Sequence, residues 1–246
     1  MLIDTHCHLH DRDFFTEEQA EEMLRRARKK GVKKVICIGT SHEDSLVACD
    51  FANKHDGVYW TYGVHPEGAS NWSAKKTFSG TPIAIGEIGL DYHYDGYERD
   101  AQIKLFEEML QLAKDHNLPV SFHVREAFDD FFGVIANFPE IKGVIHSFSD
   151  NKKNLRRILS ETDFYVGVNG MATYSTLPTP PLERIVLETD APFLTPVPFR
   201  GIINECGYIY EIAEWLSHKL AVDFETIERE TTKNAEKLFG FERTGV

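Results

Sequence analysis

The stretch LIDTH at residues 2–6, followed by a helical segment and then by KVICIG at residues 34–39, decides the fold class. The second run is nearly continuously apolar rather than alternating, which is typical of a parallel strand that is buried on both faces. Between the two runs, Thr16 and Gln19 have the spacing of a helix capping box, and Gly31 follows a basic last turn. The first 39 residues therefore predict a strand, a helix and a second, parallel strand.

Six further β-rich runs repeat this arrangement along the chain, at residues 58–64, 83–88, 120–124, 143–147, 164–168 and 184–188. More helices are expected at residues 98–116, 126–138, 151–162, 205–220 and 224–239. Irregular loops are expected at residues 67–81 and at the proline-rich residues 171–182. No linker, low-complexity tract or repeat of solenoid period divides the chain.

These elements predict an α/β fold of the (β/α)8 TIM-barrel class, as one domain over residues 1–246. An open, doubly wound sheet is the competing architecture. It is disfavoured because no Gly-rich phosphate-binding fingerprint follows the first strand.

The composition is that of an ordinary globular protein, with 42% hydrophobic and 27% charged residues. No apolar stretch approaches the roughly 20 residues of a membrane span, and the N-terminus carries no signal-peptide pattern. The four cysteines, Cys7, Cys37, Cys49 and Cys206, lack CxxC spacing. We therefore expect a cytoplasmic protein that does not associate with membranes.

The net charge of −12 disfavours a protein whose whole surface binds nucleic acid, because an acidic field repels phosphate. An enzyme that binds divalent cations through carboxylates can nevertheless remain acidic. The cations then supply positive charge where a phosphate must bind.

Polar side chains capable of binding metal recur where the predicted strands end. In a parallel β/α fold these ends share one edge, at which functional groups gather. Side chains alternate along a strand, so two histidines separated by one residue point to the same side. A lone strand-end histidine is more often structural, but six such residues together predict a metal site: His6, His8, Glu87, His123, His146 and Asp190.

Imidazole together with carboxylate ligands suits Zn, Mn, Fe or Ni better than a purely oxygen-coordinated ion, and Mg with retained waters is also compatible. Glu87 is the natural carboxylate to bridge two ions. Asp190 would be a metal ligand, the base that orients the attacking water, or both. The pattern therefore predicts a hydrolase with two divalent cations (Mg, Mn or Zn), with Glu87 and Asp190 as catalytic residues.

Other histidines are less informative. His65 ends the third predicted strand and could either contact substrate or stabilise its loop. His10 and His93 lie near the expected rim, where they are as easily bystanders as participants.

Seven motifs, taken in order, resemble those of the TatD family of metal-dependent deoxyribonucleases, within the wider amidohydrolase-type barrels. They cover nearly the whole chain: DTHCHL at residues 4–9, GVHP at 63–66, GEIGLDY at 86–92, PVSFHVR at 119–125, HSFS at 146–149, ETDAPFL at 188–194 and RGIINE at 200–205. The resemblance implies a (β/α)8 barrel that requires divalent metal and hydrolyses phosphodiester bonds of DNA, often from the 3′ end.

The resemblance also implies a division of the ligands. His6, His8 and Asp190 would hold one ion, His123 and His146 the other, and Glu87 would bridge them. Substrate phosphates would face His65, Arg125, Asn169 and Arg200. The expected partner is DNA, as single strands or 3′ ends without sequence specificity, and no obligate protein partner is evident.

Three departures from the family pattern occur, none of them at a predicted ligand. His10 stands where the family usually has Asp, Asp150 follows the HSFS motif, and Glu205 lacks the proline that commonly follows it. Short segments after Pro66 and Gly170 leave the substrate preference more open than the metal binding.

Two other functions remain as alternatives. The same scaffold could hydrolyse a small amide, ester or lactone, since fold does not determine substrate. A degenerate barrel acting as a binding or scaffold protein is disfavoured by the complete ligand set. Many amidohydrolase-type barrels hold their ions with a carbamylated lysine, and Glu87 in its place favours the nuclease branch.

Overall fold

Eight parallel strands form a ring in the computed structural model, which describes residues 1–72, 78 and 80–241. Within these residues the strands are β1 (Leu2–Cys7), β2 (Val32–Cys37), β3 (Val58–Tyr62), β4 (Ala84–Asp91), β5 (Val120–Arg125), β6 (Gly143–Ile145), β7 (Tyr165–Val168) and β8 (Ile185–Leu187). The helices of this part of the chain are α1 (Glu17–Lys29), α2 (His42–Ala52), α3 (Arg99–His116), α4 (Phe128–Ile135), α5 (Lys152–Glu161), α6 (Ile209–Leu220) and α7 (Phe224–Phe239).

The strands pair in chain order from β1 to β8, and the segment after β8 brings the last strand back to the first. There the N–H of His8 donates to the carbonyl of Ala191 over 2.7 Å, and the N–H of Asp190 donates to the carbonyl of His6 over 2.8 Å. The predicted (β/α)8 barrel class is confirmed. The extent of the domain over residues 1–246 stays a prediction, since residues 242–246 lie outside the described part.

Helix α1 shows how local sequence determines an element. The hydroxyl of Thr16 accepts from the N–H of Gln19 over 3.2 Å, and the Gln19 side chain accepts from the N–H of Thr16 over 2.9 Å. This reciprocal pair is the predicted capping box. The helix then buries Ala20, Leu24 and Ala27 along one face against the barrel.

One prediction of secondary structure is wrong, and one helix was not predicted. Strand β4 does not end near Glu87 but continues to Asp91, and its residues Ile88–Asp91 pair with β5. Gly89, just beyond the predicted end, is needed inside the strand: its φ is +147°, and a Cβ there would lie 1.9 Å from the carbonyl oxygen of His123. Helix α2 was not predicted, because its apolar residues form no single stripe and Leu46 and Val47 face solvent.

The remaining helices differ from the predictions only near their ends. Cys206–Tyr208 form a 3-10 turn before α6 rather than part of it, and α4 is shorter than predicted at both ends. The loop at residues 171–182 is irregular as predicted apart from short 3-10 turns. The loop at residues 67–81 starts in a 3-10 helix, Pro66–Asn71, and its residues 73–77 and 79 lie outside the described residues.

No helix among the described residues combines the length and apolar character needed to cross a bilayer.

Candidate metal centre

The two histidines of β1 and its end point into the barrel, whereas the cysteine between them points away. His6 and His8 are buried, with their rings 5.2 Å apart. The thiol of Cys7 instead lies 3.4 Å from the carbonyl oxygen of Ile36 on β2. The alternation along β1 therefore delivers two imidazoles to one place, as the sequence predicts.

Asp190 faces three of the predicted histidines from the segment after β8. Its Oδ1 lies 3.5 Å from Nε2 of His8, 3.6 Å from Nε2 of His6 and 3.7 Å from Nε2 of His146. The rings of His6 and His146 are stacked with centroids 3.4 Å apart. One carboxylate thus meets imidazoles from β1, its neighbour in the ring, and from the end of β6, two strands away.

Glu87 occupies the centre of the cluster, although it lies within β4 rather than at its end. Its Oε2 is 3.5 Å from Nε2 of His6, while its Oε1 is 2.6 Å from Nδ1 of His123 and 3.9 Å from Nε2 of His146. The two oxygens of this carboxylate therefore face different imidazoles. This is the arrangement that a bridging carboxylate needs.

The donor set fits a divalent cation centre. Nε2 of His6 is buried and has no aligned hydrogen-bond partner among the described residues, although two carboxylates lie within 3.6 Å of it. A buried polar atom of this kind needs a partner such as a bound ion. This cluster contains three groups of residues whose ligand atoms all lie within 4.8 Å of one another inside the group: His6, His8 and Glu87; His6, His146 and Asp190; and His65, Glu87 and His123.

The charges of the cluster are strongly coupled. Burial would lower the pKa of His8, but the hydrogen bond and charge of Asp190 outweigh it and raise the pKa to about 9. The pKa of His123 rises against burial to about 10 through Asp91 and Glu87, and that of His146 to about 9 through Glu188 and Asp190. Without cations, protons therefore balance the carboxylates, and a bound cation must displace them.

We expect the metal-free protein to lose stability as the pH rises. The folded-state pKa values of His8, His123 and His146 lie above the unfolded value of about 6.5, so their stabilisation is complete below pH 6.5 and is lost through pH 9–10. A loss of even about 2 kcal/mol would lower Tm by roughly 4–8 °C. Thermal unfolding of chelated protein between pH 6.5 and 10 measures this.

Added Mn²⁺ should reverse the trend, since its binding releases the same protons and strengthens with pH. A Tm of the chelated protein that is flat or rises over this range would contradict the assignment.

A carboxylate that the sequence analysis passed over supports His146. Glu188 is fully buried, and its Oε1 accepts from the N–H of Ser147 over 2.6 Å. The same oxygen lies 3.1 Å from Nδ1 of His146, close enough for an ion pair although not aligned as a hydrogen bond. Metal-binding histidines commonly present their second ring nitrogen to such a carboxylate, which fixes the ring.

The carboxylate of Glu188 occupies space that is left open by the glycine at position 167. A Cβ at Gly167 would lie 2.3 Å from Oε2 of Glu188, so any other residue there would displace this carboxylate. On the other side of the site, Oδ2 of Asp91 lies 2.9 Å from Nε2 of His123. Both carboxylates could have been found in the sequence, because each lies at even spacing from a predicted ligand: Glu188 is two residues before Asp190, and Asp91 is four residues after Glu87.

Glu188→Gln should weaken metal binding at His146 without disrupting the barrel. The amide keeps the shape and the contact to Ser147 but loses the charge that orients the imidazole. Loss of such a partner typically costs about 10–100-fold in metal affinity or activity. Metal titration by calorimetry would measure it, with the exposed Glu183→Gln as a matched control; an unchanged affinity would show that Glu188 only fills space.

The cluster opens into a cavity of about 720 Å³ at the carboxyl edge of the strands. Two of the four predicted substrate-binding residues line it, His65 and Arg125. The ring of His65 lies 4.4 Å from that of His123, and burial lowers the pKa of His65 to about 4. A neutral His65 would meet a phosphate through a hydrogen bond rather than an ion pair.

The other two predicted substrate-binding residues do not belong to this cavity wall. Asn169 is buried, and its amide donates to the hydroxyl of Ser147 over 2.8 Å, while Arg200 lies with its guanidinium 3.9 Å from the ring centroid of Tyr174. Their contact with substrate stays a prediction that rests on the resemblance.

Comparison with known proteins gives a consistent picture. The profile of the family described as TatD related DNase matches residues 3–240. A Bacillus subtilis (strain 168) protein named uncharacterized metal-dependent hydrolase YabD is 32% identical, over 97% of this chain and 99% of its own length. The 3′-5′ ssDNA/RNA exonuclease TatD of Cronobacter sakazakii is also 32% identical, over 94% of this chain and 92% of its own length.

A solved structure resembles the barrel as a whole. The TatD homologue YJJV of Escherichia coli K12 superposes with a TM-score of 0.82 at 28% identity, over 97% of this chain and 98% of its own.

Proposed function

We propose, because this chain belongs to the TatD-related DNase family, that it is a metal-dependent nuclease that hydrolyses phosphodiester bonds of single-stranded DNA from the 3′ end. The exonuclease named TatD among its relatives supports this choice of substrate and polarity. A phosphate contact does not read base identity, so we expect no sequence specificity.

Two divalent cations, Mg, Mn or Zn, are proposed for the centre. His6, His8 and Asp190 would hold one and His123 and His146 the other, with Glu87 shared between them. When bound, they would lower the pKa of a coordinated water to about 7 and stabilise negative charge on the phosphate.

The chain's own residues supply the rest of the catalysis. The pKa of Asp190 is lowered because the charge of His146 and the contact with His8 outweigh burial, so its carboxylate is ionised and can accept a proton from the attacking water at Oδ1. Arg125 lines the cavity and can bind a phosphate oxygen through its guanidinium. Glu188 and Asp91 hold the rings of His146 and His123.

The convergence of six predicted ligands in one cluster, five of which line the cavity, is the observation that carries this proposal. A further feature favours the nuclease over an amide, ester or lactone hydrolase. No lysine occurs among the described residues that line the cavity, so none is available there for carbamylation, and Glu87 stands at the centre.

The test is cleavage of end-labelled single-stranded and duplex DNA by the full chain, with Mg²⁺, Mn²⁺ or Zn²⁺ added after chelation. We expect a 3′-to-5′ ladder on single strands that requires metal. A parallel panel of small esters, amides and lactones should show weak turnover. If a small ester, amide or lactone were hydrolysed and DNA were not cleaved, the amidohydrolase-like alternative would replace the nuclease proposal.

A further inference from the structure

Two phenylalanines are exposed together at the mouth of the cavity. Phe193 follows β8 and lines the cavity, and Phe14 lies between β1 and α1. Their side chains are 46% and 45% exposed, although transfer of a phenyl ring out of water is favourable. The ring centroids are 5.2 Å apart with planes at 84°, an edge-to-face pair. The pair is a preformed aromatic surface on the rim of a polar cavity.

Phe193 adjoins the proposed metal centre. Its ring centroid is 6.2 Å from that of His8, whose Nε2 contacts Asp190. A phosphodiester bound at the centre would therefore place an attached nucleotide beside this ring. The pairing with Phe14 orients Phe193 before any substrate arrives, which lowers the entropic cost of using it.

Outside the proposed metal centre, the described part of the cavity wall carries a single cationic side chain that can bind a phosphate. Arg125 is the only arginine or lysine among the described residues that line the cavity. The Nη1 atom of Arg125 lies 4.0 Å from the nearest carboxylate oxygen, on Asp91, and the guanidinium lies 5.2 Å from the ring centroid of the exposed Tyr94. A groove that tracks a long strand needs several cations along it. A single arginine suits the end of a strand.

We propose that Phe193, oriented by Phe14, stacks on the 3′-terminal base of the substrate, so that an unpaired terminal base is what the enzyme recognises. This inference rests on the proposed nuclease function and names the part of the substrate that the enzyme recognises. Stacking uses only the π face that every base has, so the four bases should be cleaved with similar efficiency. A paired terminal base must first leave its stack, which costs a few kcal/mol and accounts for a preference for single strands.

The test compares two single-stranded oligonucleotides that differ only at the 3′ end, one with a normal terminal nucleotide and one with a terminal abasic residue. The wild-type enzyme should cleave the normal end with a kcat/KM about 5–150-fold higher, the range of one stacked base. Phe193→Ala and Phe193→Leu should reduce this ratio to about one, because both lose the aromatic face. Phe193→Trp should retain it.

Ile203→Ala is the matched control, since Ile203 is 57% exposed in the same segment after β8 but does not line the cavity. It should keep the full ratio. Equal cleavage of both ends by the wild-type enzyme, or a full ratio in Phe193→Ala, would overturn the stacking proposal and leave the nuclease intact. Absence of metal-dependent cleavage of both oligonucleotides would overturn the nuclease function and the stacking proposal with it.

Discussion

Glu87→Ala should reduce DNA hydrolysis by about 10³-fold or more while the barrel remains folded. The two oxygens of Glu87 face His6 on one side and His123 on the other, so its removal takes away a carboxylate that meets both halves of the proposed centre through separate oxygens. Loss of metal-ion catalysis removes several kcal/mol of transition-state stabilisation, and each 1.36 kcal/mol is tenfold in rate.

The measurements are kcat/KM on end-labelled single-stranded DNA at saturating Mn²⁺ and metal content after dialysis. Glu87→Gln keeps the side-chain volume and should be nearly as inactive, which separates loss of charge from loss of packing. Glu161→Gln removes an exposed carboxylate on α5, a helix that contains none of the proposed ligands, and should be fully active. Undiminished cleavage by both Glu87 variants would show that Glu87 is not required at the metal centre.

Asp190→Asn should also lower activity by about 10³-fold or more, by a different route. The amide has nearly the same shape, so contacts with His6, His8 and His146 remain possible, but it can neither accept a proton from water nor neutralise a cation. We expect kcat to fall and the acidic limb of the pH profile of kcat to disappear. The exposed Asp163→Asn is the matched control.

A rise in KM alone, with kcat unchanged, would show that Asp190 contributes only to binding. Full activity of Asp190→Asn would exclude both of its predicted roles.

The fold and the clustering of the six proposed ligands could be predicted from the sequence because both depend on short-range regularities. Apolar runs separated by helices predict parallel strands, and alternation within β1 is enough to send His6 and His8 to the same side. Since strand ends of a barrel meet at one edge, His123, His146 and Asp190 could be placed near them without knowledge of any long-range contact.

Features that depend on contacts between distant segments were not accessible. The even spacing that marks Glu188 as a candidate does not show its contact with Ser147, 41 residues earlier in the chain. The sequence likewise does not show that the backbone of β5 approaches Gly89 so closely that only glycine fits there. Asn169 and Arg200 were assigned through the resemblance alone, and loop geometry turns both towards protein partners instead of the cavity.

The most direct test is a crystal structure of the protein grown with Mn²⁺, with anomalous diffraction locating the metal. We expect two peaks about 3.5–4 Å apart, enclosed by the six predicted ligands with Glu87 between them. Peaks elsewhere, for example at the buried group of Asp4, Cys7 and Cys206, or six side chains that surround no metal at all, would contradict it.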